Sequence, residues 1–208
     1  MEARGWPLER AALERLETLL DLWVRYGAVM NLSGARTRRE LLPHVIDGLD
    51  TAWLVREVIG LGPGVRWLDL GSGGGFPALV VAAVGDCSMM LLEPRQKRSS
   101  FLELALRSIG RGSIAVQTAR FDRATWGQEA ANGFIGVVEG GVRVVSARAV
   151  WAPQEWLEVA HHVLGNDGHV VVHFSDAISA KNLGVRRSVT SARGEIGLVQ
   201  ISAGGSTR

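Results

Sequence analysis

Residues 65–98 read VRWLDLGSGGGFPALVVAAVGDCSMMLLEPRQKR, and the fold turns on how this stretch divides. Val65, Trp67, Leu68 and Leu70 form a short apolar run of strand formers that stops at Gly71, the pattern of a strand buried in a parallel sheet. Gly71, Gly73, Gly74 and Gly75 then allow positive φ and let a ligand approach the main chain with no Cβ in the way. Phe76 to Val84 is an apolar segment of helix length, with Pro77 suited to a first turn where its missing N–H is not needed. A helix start beside a glycine turn offers free N–H groups to a polar or anionic ligand. The next apolar run, Met89 to Leu92, ends in Glu93, on the order of 20 residues after the turn, where a carboxylate can bind ribose hydroxyls. The stretch is half of a nucleoside-binding βαβ unit.

Three frames compete for these glycines. A phosphate-binding loop ends in Gly-Lys-Ser/Thr, and no Lys follows here. A dinucleotide fingerprint, taken as Gly73, Gly75 and Ala78, puts Pro77 inside the glycine turn. The third frame, Asp69-Leu70-Gly71-Ser72-Gly73-Gly74-Gly75, resembles the first motif of class I S-adenosylmethionine-dependent methyltransferases and fits without strain. That resemblance implies a glycine backbone lying against the methionine part of the cofactor, with Glu93 gripping both ribose hydroxyls. Four glycines in five residues argue against a plain connection between a core strand and a core helix.

The chain has 208 residues and is 47% hydrophobic, enough for one domain with a sizeable core. The expected division is a single methyltransferase domain over 1–208, with a helical N-terminal extension at 1–60 and a Rossmann-like cofactor-binding core at 65–208. Cys87 is the one cysteine, so no intrachain disulfide can form, and a small buried hydrophobe in a reducing compartment is its expected role. The N-terminus lacks the apolar core of a signal peptide, and the longest apolar run, Ala78 to Val84, is too short to span a bilayer. A cytoplasmic protein without a membrane partner is expected. The net charge of +2 demands no nucleic acid; 21 of the 23 basic residues are Arg, which suits bidentate phosphate contacts, but codon bias explains the surplus equally well.

From Pro7 to Met30, Leu8, Ala12, Leu16, Leu19, Leu20, Trp23 and Val24 form one stripe of an amphipathic helix. Thr37-Arg38-Arg39-Glu40 is a capping-box pattern opening a second helix, whose stripe runs through Leu41, Leu42, Val45, Ile46, Leu49 and Trp53 and which places His44 and Asp47 on one face. GLGPG at Gly60 to Gly64 ends this prefix. Beyond the glycine stretch, Arg95 to Ser108 reads as a helix, Ile114 to Val116 as a third strand and 121–141 as a loop containing a short helix. Val142 to Ser146 reads as a fourth strand, Pro153 to Leu164 as a helix, Asn166-Asp167-Gly168 as a turn and His169 to Phe174 as a fifth strand. Val185 to Thr190 and Leu198 to Ile201 form a closing hairpin. Alternating strands and helices predict an α/β fold: a mostly parallel sheet flanked by helices.

Taken in order, Asn31-Leu32-Ser33, His44-Val45-Ile46-Asp47-Gly48-Leu49, the glycine motif with Phe76-Pro77, Glu93-Pro94-Arg95-Gln96-Lys97-Arg98 and Ser146-Ala147-Arg148-Ala149 resemble the RsmG (GidB) family over roughly residues 8 to 175. Its members methylate N7 of a guanine in small-subunit ribosomal RNA. The resemblance implies S-adenosylmethionine as cofactor, held by Asp69, Gly71, Ser72, Gly73, Gly75, Phe76 and Glu93, with Ala119 and Arg120 near the adenine. It implies small-subunit ribosomal RNA, or its ribosomal particle, as partner. Attack by the N7 lone pair needs no general base, so positioning supplies most of the catalysis and no acid–base pair stands out.

Arg148 follows the fourth strand, where strand ends line the ligand crevice, and is read either as holding the target base or a phosphate, or as a structural ion pair. His44 and Asp47 either reach over the cofactor or hydrogen-bond to each other as an anchor. Arg36, with Arg38 and Arg39, and Arg95, with Lys97 and Arg98, either flank the cleft and take RNA phosphates or are solvated helix ends. His161 and His162 are adjacent on a helix, off metal-ligand spacing, and are expected to be one surface and one core residue; no metal is expected.

Three positions depart from the family pattern. Arg143, after Glu139-Gly140-Gly141, stands where an acid usually enters the fourth strand; Phe174-Ser175 replaces a Lys-Gly; Gly48 replaces a serine. They leave open a divergent relative acting on another substrate, and a module that binds the cofactor without catalysis.

Overall fold

The computed structural model describes residues 2–122, 142–164, 167–175, 185 and 187–202. A short ribbon pairs β1 (Glu2–Ala3) with β2 (Trp6–Pro7), and α1 (Arg10–Met30) and α2 (Arg38–Ile59) follow. The glycine stretch gives β3 (Arg66–Leu70), α3 (Ala78–Val84) and β4 (Ser88–Leu92), then α4 (Gln96–Ser108) and β5 (Ala115–Gln117). The later half supplies β6 (Val144–Ala147), α5 (Pro153–Leu164), β7 (Asp167–Phe174), β8 (Arg187–Ser191) and β9 (Gly194–Ser202).

These strands, without the ribbon, make one sheet in the order β5-β4-β3-β6-β7-β9-β8. Strands β3 to β7 pair in parallel, while β9 runs antiparallel to β7 and β8 antiparallel to β9. From β3 the chain steps outward one way through β4 and β5, then returns to lay β6 on the other side of β3. Ligands bind outside the carboxyl ends of strands at such a reversal.

Strand alternation gives each face its own apolar layer. Trp67, Leu91, Val144, Val171 and Leu198 meet α1 to α4 on one side, and Leu68, Leu70, Val145, Val170 and Val172 meet Trp156 and Leu157 of α5 on the other. The capping box forms: Glu40 N–H donates to Thr37 Oγ1 at 3.3 Å and Thr37 N–H donates to Glu40 Oε2 at 3.1 Å. Gly48 is where α2 meets α3, since a Cβ there would lie 2.5 Å from Val80 Cβ. This departure is thus a packing solution between two helices. The other two are structural as well: Arg143 ion-pairs with Asp167, and Phe174 is buried in the α5 layer.

Several boundaries differ from the sequence reading. α1 starts at Arg10 because Trp6 and Pro7 are drawn into the ribbon, and α3 starts at Ala78, after a cis Phe76–Pro77 bond. Asp167 and Gly168, expected in a turn, instead extend β7, paired with Ser202 and Ile201. His161 and His162 are both exposed, so neither is a core residue. Cys87 is buried, and burial pushes its thiol up to about 12, which keeps it protonated. Residues 123–141, most of the expected loop with its short helix, and Glu139-Gly140-Gly141 lie outside the described residues. Among the described residues no helix is long and apolar enough to cross a membrane.

Candidate functional site

A cleft of about 670 Å³ opens at the carboxyl ends of β3, β4 and β6. Its floor is Gly71 to Gly74, held by hydrogen bonds that the glycine turn directs at the end of β4: Gly71 N–H and Ser72 N–H both donate to the Leu92 carbonyl, at 2.8 and 3.1 Å. Gly71 takes φ 71°, and a Cβ there would lie 2.6 Å from Val150 Cγ2, so only glycine lets the turn pass under the loop after β6. Gly75, at φ 89°, points inward, where a Cβ would strike Leu79 at 2.3 Å. It shapes the turn from beneath and does not line the cleft.

Glu93 is 3% exposed at the tip of β4. Gly73 N–H donates to its Oε2 at 2.8 Å and Arg95 N–H to its Oε1 at 3.0 Å. A carboxylate offers about four lone-pair sites, so about two remain for hydroxyl groups of a ligand in the cleft. Ala119 and Arg120, after β5, line the same wall.

Asp69 is not a cleft residue. It is 1% exposed under the loop, where it accepts a hydrogen bond from Ser146 Oγ–H, while Trp67 Nε1–H donates to Ser146 Oγ at 2.7 Å. Burial pushes its carboxyl up to about 6, opposed by the hydrogen bond from Ser146. This polar chain ties β3 to β6 directly below the site.

The helical prefix closes the cleft from above. Trp23 Nε1–H, on α1, donates to the Gly74 carbonyl at 2.7 Å, and its ring stacks on Phe76 at 4.3 Å between centroids. His44, on α2, sits against the same Phe76 at 4.8 Å. Leu32 and Ser33, between the two helices, also line the cleft.

Arg148 stands on the opposite wall, one residue past β6. Its Nη2 donates to Asp47 Oδ2 at 2.5 Å, with side-chain exposures of 16% and 2%. Ser191 Oγ–H donates to Asp47 Oδ1 at 2.7 Å. Arg193, from the turn between β8 and β9, donates through Nη1 to His44 Nε2 at 2.6 Å. Burial, reinforced by the charges of Arg193 and Arg148, pushes His44 down to about 4, so it is neutral near pH 7. His44 and Asp47 are thus bridged by Arg193, whose Nε also lies 3.9 Å from Asp47 Oδ2, in place of the mutual hydrogen bond that one of the two sequence readings gives them.

The basic clusters divide. Arg95, Arg98 and Arg120 line the cleft, and Arg98 Nη2 also donates to the Asn31 carbonyl at 2.7 Å. Arg36 turns back on the Ser33 and Ala35 carbonyls, Arg38 pairs with Glu17 and Asp21, and Lys97 is exposed; none of these lines the cleft. Trp23, Trp151 and Arg193 are site residues that the sequence reading missed. In sequence Trp23 reads as one more stripe residue, and no local pattern links Arg193 to His44.

This sheet order, with a glycine turn after β3 and an acid after β4, is the fold of the class I S-adenosylmethionine-dependent methyltransferases. An RNA methyltransferase from Salinibacter ruber, solved in complex with S-adenosyl-L-homocysteine, superposes with a TM-score of 0.56 at 14% identity, over 76% of this chain and 94% of that one. The family model for rRNA small subunit methyltransferase G (GidB) matches residues 12–195, and the chain belongs to this family. Ribosomal RNA small subunit methyltransferase G of Halorhodospira halophila is 33% identical over 145 residues, 69% of this chain and 60% of that protein. The protein of the same name from Gluconobacter oxydans is 32% identical over 162 residues, 77% of this chain and 74% of that one. The match thus spans less than two thirds of the first relative's length. The cofactor of this fold class is S-adenosylmethionine, and the cleft fits it: the volume suits a nucleoside with an amino-acid tail, the glycine floor admits close approach, and Glu93 keeps acceptors for ribose.

Proposed function

We propose that the chain transfers a methyl group from S-adenosylmethionine to N7 of a guanine in small-subunit ribosomal RNA, free or in its ribosomal particle, in the cytoplasm. The observation that carries this reading is one cleft with the glycine turn and Glu93 on one side and Arg148, paired with the buried Asp47 behind it, on the other. The cofactor supplies an electrophilic sulfonium methyl. The chain's own residues supply placement: Glu93 and the main chain of 71–74 hold the ribose and methionine ends, while Phe76 packs against Trp23 and His44 to fix the loop.

Arg148 donates from the side of the base, to O6 or to a neighbouring phosphate, because a donor on N7 would occupy the attacking lone pair. Asp47, paired with Nη2, anchors one end of the guanidinium for that task. His44 is neutral and already accepts from Arg193, so it is read as orienting the wall and not as a proton acceptor in the reaction. Arg95, Arg98 and Arg120 are placed to meet RNA phosphates at the cleft.

The test is transfer of labelled methyl from S-adenosylmethionine to small-subunit ribosomal RNA, and to the particle, from a strain lacking this gene, with mass spectrometry locating the product. N7-methylguanosine at one position is expected. Cofactor binding with no transfer to RNA, protein or small molecules would establish a non-catalytic module, and transfer to a small molecule a divergent enzyme.

A further inference from the structure

A second cavity, of about 260 Å³, adjoins the cleft and shares Arg148, Trp151 and Arg193 with it. His173, near the end of β7, belongs to this cavity alone and has no part in the function derived above. Ser146 pairs with Val171, and two residues further on along these adjacent parallel strands come Arg148, one residue past β6, and His173, near the end of β7. Strand alternation turns both toward α2, the side from which Asp47 reaches Arg148. Asp47 engages only Nη2. Nη1 of Arg148 and Nε2 of His173 are both buried without a partner among the described residues. Buried unpaired nitrogens are rare in native proteins, and two of them beside one cavity point to a ligand that pairs with both.

Their chemistry is not symmetric. A guanidinium can only donate, whereas a neutral imidazole offers one N–H and one lone pair. Burial and the neighbouring Arg148 charge push His173 down to about 3, which keeps it neutral. In the tautomer with the proton on Nδ1, Nε2 carries the lone pair. The two nitrogens then present a donor beside an acceptor. Guanine carries the complement, the O6 acceptor beside the N1–H donor, and adenine carries the reverse, an N6 amino group beside a bare N1.

We propose that the second cavity receives the target base, with Arg148 Nη1 donating to guanine O6 and His173 Nε2 accepting from guanine N1–H, so that His173 selects guanine over adenine. This rests on the reading of the chain as a guanine-N7 methyltransferase. N7 lies on the other side of O6 from N1, so seating O6 on Arg148, the residue common to both cavities, turns N7 toward the cofactor cleft. His173 is a specificity-determining residue here, holding the base by an edge that does not react.

The full chain, saturated with S-adenosylhomocysteine, is titrated with GMP, AMP and N1-methyl-GMP while the imidazole nitrogens are followed by NMR, the His173 signals being those lost in H173F. GMP should move the His173 signals and bind roughly tenfold or more tighter than the other two. H173F should bind S-adenosylhomocysteine normally and lose the preference, and H173Q, which keeps an acceptor oxygen, should recover part of it. If H173F fails to fold, H173Q and the analogue series decide. Equal binding of GMP and N1-methyl-GMP, binding of neither, or an unchanged preference in H173F overturns the proposal. Methyl transfer to small-subunit ribosomal RNA is measured in parallel. Selective GMP binding without transfer would refute the enzymatic reading and leave the guanine pocket standing. Transfer with unchanged kcat/KM in H173F would refute the pocket and leave the enzymatic reading standing.

Discussion

Replacing Glu93 with Ala tests the cofactor half of the cleft most directly. The carboxylate is 3% exposed and holds Gly73 N–H and Arg95 N–H at 2.8 and 3.0 Å. Its loss removes a charged acceptor for ribose, which is expected to weaken cofactor binding by ~1 to 3 kcal/mol, roughly 5- to 150-fold in Kd. It also strips two main-chain N–H groups of their partner, at ~1 to 3 kcal/mol of stability for each that stays buried. The two effects are separated by calorimetric titration with S-adenosylhomocysteine at a temperature where variant and parent are both fully folded, with urea unfolding measured alongside. Glu93→Gln keeps one acceptor oxygen and should fall between the two. An unchanged affinity in Glu93→Ala would show that the carboxylate only braces the loop. If the parent chain binds NAD and not S-adenosylhomocysteine, the cofactor assignment itself fails.

Arg148→Lys should keep fold and cofactor affinity but lose most methyl transfer, since an ammonium cannot pair with Asp47 and present a second coplanar donor as the guanidinium does; a lower melting temperature with full activity per folded molecule would make Arg148 purely structural. Trp23→Phe retains the stack on Phe76 but leaves the Gly74 carbonyl unpaired, at an expected ~1 to 3 kcal/mol by urea unfolding. Gly48→Ser should cost about 1 to 3 kcal/mol by overpacking against Val80, and the cost should be smaller in a Val80→Gly background, which removes the Cβ that the serine meets. His44 is pushed from 6.5 to about 4 on folding, so below 6.5 the unfolded chain binds a proton that the folded chain refuses. Its contribution is complete above 6.5 and lost as pH falls towards 4, and His44→Gln should flatten that fall in unfolding free energy. Asp69, raised to about 6, acts in the opposite sense, which makes the difference between parent and variant the quantity to measure.

The cofactor half was legible in the sequence because its determinants are local. Glycines that tolerate positive φ, a strand on each side and Glu93 lie within one βαβ unit, and their spacing fixes their geometry. The same reading placed Asp69 and Gly75 in the cleft, where the structure has them beneath it, because a motif does not tell which of its side chains a turn directs inward. The half proposed to hold the acceptor was only partly legible. Arg148 is marked by its place after a strand, but its partner Asp47 comes from a helix on the far side of the glycine stretch, and Arg193 from a hairpin turn. Trp23 reads as one more apolar residue in a stripe, and only its indole N–H, aimed at the Gly74 carbonyl, gives it a role in the site.

The reach of the contacts at Asp47 has a consequence for how the molecule comes together. Gly73 and Glu93 are 20 positions apart, whereas Asp47 is 101 from Arg148 and 144 from Ser191, and His44 is 149 from Arg193. Closing a longer loop costs more chain entropy, and contacts between distant positions are the ones that slow folding. The nucleoside cradle can therefore order early, from neighbouring segments, while the wall facing it waits for the closing hairpin to dock on α2. During refolding, retention of cofactor should return before methyl transfer does, because a chain at that stage has a place for the donor and lacks the wall proposed to seat the base.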